Sequence, residues 1–338
     1  MHKHPHRSRR RFLATAAAGA GAAALGLPAI RKARAAVRLR YYSWVPRNSL
    51  VARAMGNCAE LAARESKGEL VVDWGGSAEA TPPFQAADAI VSGLYELGHL
   101  ANSLYASAMP EAICLSATSA SAAKLRESGA LDVYAATMKS RNGMVFLGMP
   151  ISGIGYTFLT TAPIKTLADF RGRKLRSLPL YDPLIRALGA TPATIAPAEV
   201  FTALENGVVD GLGWSDNGIV EFRYHERTKF RLLPTFYGAR TALVASPVAW
   251  ARLTPDQQQA LTRAGRALEL EAERLYAAEH ANEHKQLAQL GMKTETLAPA
   301  EATQFLALAD QTMWERILKA SPQNGAKLKE AFDRAAKA

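Results

Sequence analysis

Apolar and polar positions along the chain change period repeatedly, and each change marks a strand giving way to a helix or the reverse. Partial alternation over residues 37–44 predicts a strand, broken at Val45-Pro46. Helical spacing follows over 50–66, with Gly68 past its end. Strand patterns return at 69–74, 95–100, 144–149 and 156–160. Between them lie a glycine turn at 75–78, a helix begun by Pro82-Pro83 and running to about Ser92, and a loop followed by a helix over 109–139. Residues 231–245 and 292–297 again have strand character, while 221–229 is polar and helical. Thr254-Pro255-Asp256-Gln257 is a strong helix start, with a capping threonine and glutamine three positions on. The helix it opens runs to about Leu290, longer than an ordinary globular helix. Helices over 299–319 and 324–337 close the chain.

The most regular stretch is 167–211, which predicts strand, helix, strand, helix, strand. Strands are expected at 174–178, 194–195 and 208–211, with helices over 181–187 and 198–206. Gly189 and Gly207 stand just past the two helices, where a helix C-terminus favours glycine. The crossovers are long enough for parallel pairing. Ligands of such open sheets bind outside the carboxyl ends of the strands, and Arg176 and Trp214 stand near strand ends here.

Charge changes the picture only at the N-terminus. Residues 1–35 hold eight of the 41 basic residues and none of the 30 acidic ones. A basic start, an Ala/Gly-rich apolar run and Ala33-Arg34-Ala35 predict a cleaved export signal. Ser8-Arg9-Arg10-Arg11-Phe12-Leu13 resembles the twin-arginine consensus, an address rather than an anchor. The remaining chain carries 33 basic against 30 acidic residues, a balance that does not argue for nucleic acid. Cys58 and Cys114 match no zinc or redox spacing and are expected as separate buried thiols. No G-x-S-x-G, H-E-x-x-H, P-loop or G-x-G-x-x-G occurs. His280 and His284 have i, i+4 spacing, but no third ligand is evident in the sequence, so a solvated polar face is expected.

Residues 167–211 resemble the signature of the TRAP transporter solute receptors, the DctP-like extracytoplasmic binding proteins. The matched positions are Asp169, Gly172, Lys174 and Arg176, then Leu188-Gly189-Ala190, then Glu199-Val200-Phe201 with Ala203-Leu204, and Gly207 through Gly211. The resemblance implies an α/β periplasmic-binding-protein-like fold: two α/β lobes, a hinge and a long bridging helix. Lobe I would comprise 36–157 plus about 243–285, and lobe II 158–242 plus about 286–338. It implies a periplasmic receptor that closes on a small-molecule carboxylate and delivers it to TRAP membrane subunits, with no cofactor and no catalytic residues. An exported enzyme on the same fold and a ligand sensor for a membrane kinase are the alternatives.

The resemblance carries the carboxylate anchor to Arg176. It also makes ligand-facing candidates of Trp214, Trp44, Tyr105, Asn102, Tyr237 and Asp216, with Ser103, Pro46 and Asn48 nearby. Two departures stand out. No arginine precedes Asp169 at 160–163, so the ligand is expected to have Arg176 alone. Gly213 replaces the acidic residue that helps hold a cation in some members, so no metal is expected at the ligand.

Overall fold

The computed structural model describes residues 35–118 and 120–337, so the expected export signal lies outside the described residues except for Ala35. Two mixed sheets carry the fold. The first is built on β1 (Val37–Ser43), which pairs in parallel with β2 (Leu70–Ser77) and β3 (Leu97–Ala101). The helix Leu50–Glu65 makes the crossover from β1 to β2, capped by the Ser49 side chain, which accepts from the Ala52 N–H. Chain order within this sheet also brings in β4 (Val145–Gly148) and a later strand, Thr241–Ala245, which lies antiparallel between β3 and β4.

Residues 75–77, expected as a flexible turn, instead extend β2. The register of β1 and β2 shifts between Tyr41 and Tyr42. A Cβ on Gly76 would lie 2.8 Å from the Tyr95 hydroxyl, so the glycines here admit a packed ring.

The second sheet is centred on β5 (Gly155–Thr160). Its other strands are β6 (Lys174–Ser177), β7 (Thr191–Thr194), β8 (Gly211–Ser215), β9 (Phe230–Leu233), β10 (Phe236–Gly238) and β12 (Lys293–Thr296), with Thr241–Ala245 of the first sheet as β11. β6 runs parallel to β7 and β8, while β5 is antiparallel to β8, β9 and β10. The apolar run expected as a strand at 208–211 is a turn, and the strand begins at Gly211. Val208 is exposed, and Asp210 accepts the Lys174 N–H through its side chain at 2.7 Å. Val209 alone anchors the turn among buried apolar side chains. The helix expected over 221–229 shrinks to Tyr224–Arg227, because Arg223 takes a left-handed backbone immediately before it.

The chain passes from the first sheet to the second between β4 and β5 and returns between β10 and β11. The long helix Pro255–Gln289 packs its first half on Leu50–Glu65 and on β4. Its far end places Leu287 in the core of the second sheet. The closing helices were expected with the second lobe. Pro299–Ala320 packs both on Asp182–Ala187 and on the 3₁₀ segment Pro110–Ser116, and Pro322–Lys337 packs on Ala130–Asn142. Buried Glu111 explains the attachment, since Arg141, Ser321 and Asn324 all donate to its Oε1. Cys58 and Cys114 are free and buried, as expected.

Candidate functional site

A cavity opens where the carboxyl ends of β1, β3, β6 and β8 face one another. This is where open α/β sheets take ligands. Trp44 follows β1, Ser103 follows β3, Tyr181 follows β6, and Trp214 lies near the end of β8. The two sheet-to-sheet crossings add Ile151, Ile154, Ala239 and Arg240, and the long helix adds Tyr276. Glu221 and Phe222 complete one wall. The cavity measures about 60 Å³, some four times the ~15 Å³ that admits one water, so it suits a small solute.

Arg176 sits in the layer behind this wall. It is fully buried, and its guanidinium carbon stands 5.2 Å from the Trp214 ring centroid, a cation–π distance. Its Nε donates to the Ile195 carbonyl at 2.9 Å, and its Nη1 to Tyr181 Oη at 2.8 Å and the Gly213 carbonyl at 3.0 Å. Nη2 is buried without a hydrogen-bond partner, and among the described residues no carboxylate forms an ion pair with this guanidinium. Tyr181 donates in turn to the Gly213 carbonyl at 2.8 Å. A Cβ on Gly213 would lie 2.7 Å from Tyr181 Cε2. The space of a side chain at position 213 is therefore filled by the tyrosine ring, and Arg176 rests on a carbonyl where an acid could otherwise stand.

The indole nitrogens of Trp44 and Trp214 are also buried without partners. Trp214 is held edge-on by Phe222 and Tyr224, with ring centroids 5.1 and 4.9 Å away. Arg240 is a second buried guanidinium on the wall. Its Nη2 donates to the carbonyls of Thr118 and Ala120, and among the described residues its Nε has no partner. Burial lowers its pKa to about 10, which leaves it charged at neutral pH. Beside the single arginine that was expected, the crossing between β10 and β11 thus places Arg240 on the cavity wall. Burial pushes the Tyr156 hydroxyl up to about 12, so the ring that lines the cavity stays a neutral phenol.

Four expected ligand-facing residues lie elsewhere. Asn102 and Tyr105 point into the first lobe's core, where the Tyr105 hydroxyl meets Tyr134 Oη at 2.8 Å and donates to Asn102 Oδ1 at 3.4 Å. The short 3₁₀ turn Asn102–Leu104 presents Ser103 to the cavity in their place. Tyr237 donates to the Ala309 carbonyl at 2.8 Å and lines a separate groove. Asp216 is 2% exposed and holds Arg231 through two 2.6 Å bonds. Burial would raise its pKa, but hydrogen bonds from His280, His284 and Arg231 outweigh that and hold the carboxyl well below the usual range. Pro46 is absent from the wall, and Asn48 lines a surface groove with Glu279 and Glu283. Of the residues expected at the ligand, the fold brings Trp44, Trp214 and Arg176 together.

Sequence reasoning missed Tyr181, Tyr156, Tyr276 and Arg240. Tyr181 follows the carboxyl end of a strand, a signal available in the sequence. The others reach the cavity only through the pairing of the sheets.

A family model described as bacterial extracellular solute-binding protein, family 7, matches residues 42–320. The uncharacterized protein YiiZ of Salmonella typhimurium is 28% identical over 137 residues, 40% of this chain and 41% of that protein. The 2,3-diketo-L-gulonate-binding periplasmic protein YiaO of Escherichia coli is 31% identical over 102 residues, 30% of this chain and 31% of that one. The chain thus spans less than half the length of these curated relatives. A TRAP periplasmic solute-binding protein from Desulfovibrio salexigens, solved with bound orotic acid, superposes with a TM-score of 0.81 over 89% of this chain and 99% of that one. At 18% identity that likeness is one of fold.

Proposed function

The chain belongs to bacterial extracellular solute-binding protein family 7, and from that premise we propose that it captures a small organic acid between its two sheets in the periplasm and hands it to TRAP-type membrane subunits. The observation that carries this reading is a set of buried N–H donors without acceptors: Arg176 Nη2, Trp44 Nε1 and Trp214 Nε1. Buried donors are nearly always partnered, and leaving one unmade costs about 1–3 kcal/mol. A carboxylate brings about four lone pairs and a charge that complements the guanidinium, whose Nη2 is the nitrogen left open. The orotic acid and 2,3-diketo-L-gulonate named for the relatives are of this chemical class. Aromatic walls from Trp44, Tyr156, Trp214 and Phe222 favour a keto acid or aromatic acid over a heavily hydroxylated sugar acid.

The sheets would close about the two crossings, residues 149–154 and 239–240, in a hinge motion. Trp214 lines the cavity and Arg176, 5.2 Å from its ring, does not, so a ligand that reaches the guanidinium would shift that ring. No helix among the described residues is long and apolar enough to cross a membrane, which fits a receptor that meets its transporter at a surface.

The test is a panel of small carboxylic acids and their amides, followed by calorimetry on the best binder. At least one acid should raise the melting temperature while its amide does not. Arg176→Ala should then lose about 3–5 kcal/mol of binding, the usual effect of breaking a buried charge pair, or roughly a hundredfold to a few thousandfold in affinity. Arg176→Lys should fall between, since an ammonium keeps the charge but cannot bond Ile195, Tyr181 and Gly213 and still present a donor to the ligand. A folded Arg176→Ala protein with unchanged affinity would remove this residue from the site.

A further inference from the structure

On the long helix, His280 and His284 stand one turn apart, with ring centroids 4.2 Å from each other. The sequence shows no third ligand, but the fold supplies one, because the loop after β8 brings Asp216 against both rings. His280 Nε2 lies 3.2 Å from Asp216 Oδ2, and His284 Nε2 lies 3.4 Å from Asp216 Oδ1. One ligating atom from each of the three residues lies within 4.8 Å of the others. Zinc bonds nitrogen and oxygen at about 2.0–2.2 Å, so the edges of its tetrahedron are about 3.4 Å long. Each nitrogen already stands about that far from one oxygen of Asp216, a different oxygen for each ring, so a small shift of the carboxylate or of one ring completes the site.

Access and chemistry agree with the geometry. The imidazoles are partly exposed, with side chains 36% and 22% accessible, while Asp216 is buried beneath them. Arg231 takes one position on each carboxylate oxygen through its Nε and Nη2. A carboxylate has about four such positions, and the remaining two face the histidines. Arg231 would thus act as the outer partner that orients the ligand, and by offsetting the charge of Asp216 it keeps affinity moderate. Two imidazole nitrogens and one oxygen suit zinc, nickel or copper and not magnesium or calcium.

We propose that His280, His284 and Asp216 form a site for a divalent transition-metal ion, separate from the solute cavity. None of the three lines that cavity. Coordination requires each Nε2 to be unprotonated. The proton each ring now directs at Asp216 goes to solvent or moves to Nδ1, so binding releases or shifts protons without any redox step. The bound ion would tie the long helix to the end of β8, and so tie the helix packed on the first sheet to the second.

Zinc chloride titrated into the full chain without a polyhistidine tag tests this. His2, His4 and His6 near the N-terminus also offer imidazoles to zinc, so the readout is the difference between the wild type and His280→Gln/His284→Gln in the same chain. Glutamine keeps a donor for Asp216 but is a poor zinc ligand. The wild type should show one extra binding event and a zinc-dependent rise in melting temperature, both absent in the double variant. Each single variant should bind at least about tenfold more weakly, as losses around a metal centre do. Cobalt should give the intense visible absorption of a four-coordinate ion in the wild type alone. An isotherm and melting shift unchanged by the double substitution would overturn the site, as would the lack of any zinc-dependent difference between the folded proteins.

Discussion

Position 213 shows how one residue sets the chemistry of its neighbours. Glycine there leaves room for the Tyr181 ring, and the ring fixes Arg176 through a shared carbonyl. Gly213→Ala places a Cβ 2.7 Å from Tyr181 Cε2, and overpacking of this kind typically costs about 1–3 kcal/mol. Chemical denaturation should show that loss, and ligand affinity should fall as Tyr181 is displaced. Stability equal to the wild type would mean that the ring yields freely. His99 gives a second prediction. Burial in β3 lowers its pKa to about 3, and its Nε2 lies 2.7 Å from Thr241 Oγ1. The native ring stays neutral while the unfolded ring takes a proton near pH 6.5. The unfolded state therefore binds more protons between about pH 3 and 6.5, and native stability falls as pH falls through that window. The decline in melting temperature from pH 7 to pH 4 should be shallower in His99→Gln than in the wild type. Equal slopes would show that carboxylates alone account for the acid loss.

Among the elements, the long helix was the most legible, because its start is written in four consecutive residues. The Thr254 side chain accepts from the Gln257 N–H at 3.3 Å, and the Gln257 side chain accepts from the Thr254 N–H at 3.1 Å. Thr254→Ala should cost about 1 kcal/mol of stability, as loss of an N-cap does. A denaturation midpoint unchanged from the wild type would show that Pro255 and packing hold the end unaided. The turn at 208–210 was misread as a strand for a physical reason. Val208 and Val209 look buried as a pair, yet only Val209 is, because Asp210 turns back to bond Lys174 at the start of β6. A two-residue apolar run cannot report which of its members faces the core.

At the scale of the whole molecule, the two thiols report on opening of separate cores. Cys58 packs under the first sheet and Cys114 in the larger cluster that includes the closing helices. Burial pushes the Cys58 thiol up to about 12 and the Cys114 thiol well above its usual value. Native protein should resist thiol reagents, denaturant should expose both, and reductant should leave the melting temperature unchanged. Rapid labelling of the native state, or a melting temperature lowered by reductant, would contradict this arrangement.

Local pattern was enough for most strands and helices in order, for the helix caps, and for the α/β unit around Arg176, although residues 231–245, legible only as one stretch of strand character, hold β9, β10 and β11. The legible features depend on neighbours within a few residues, where hydrophobic period and backbone preference act. The sequence by itself also carried enough of the 167–211 pattern to indicate the family that the match over 42–320 establishes. Tertiary structure alone decided which side chains meet. It turned Asn102, Tyr105 and Tyr237 away from the cavity, brought in Tyr156, Tyr276 and Arg240, and joined Asp216 to two histidines 64 and 68 positions away. The reason is geometric: a strand end can aim a side chain toward the cavity or toward its own core, and the partner strands and the long helix settle which.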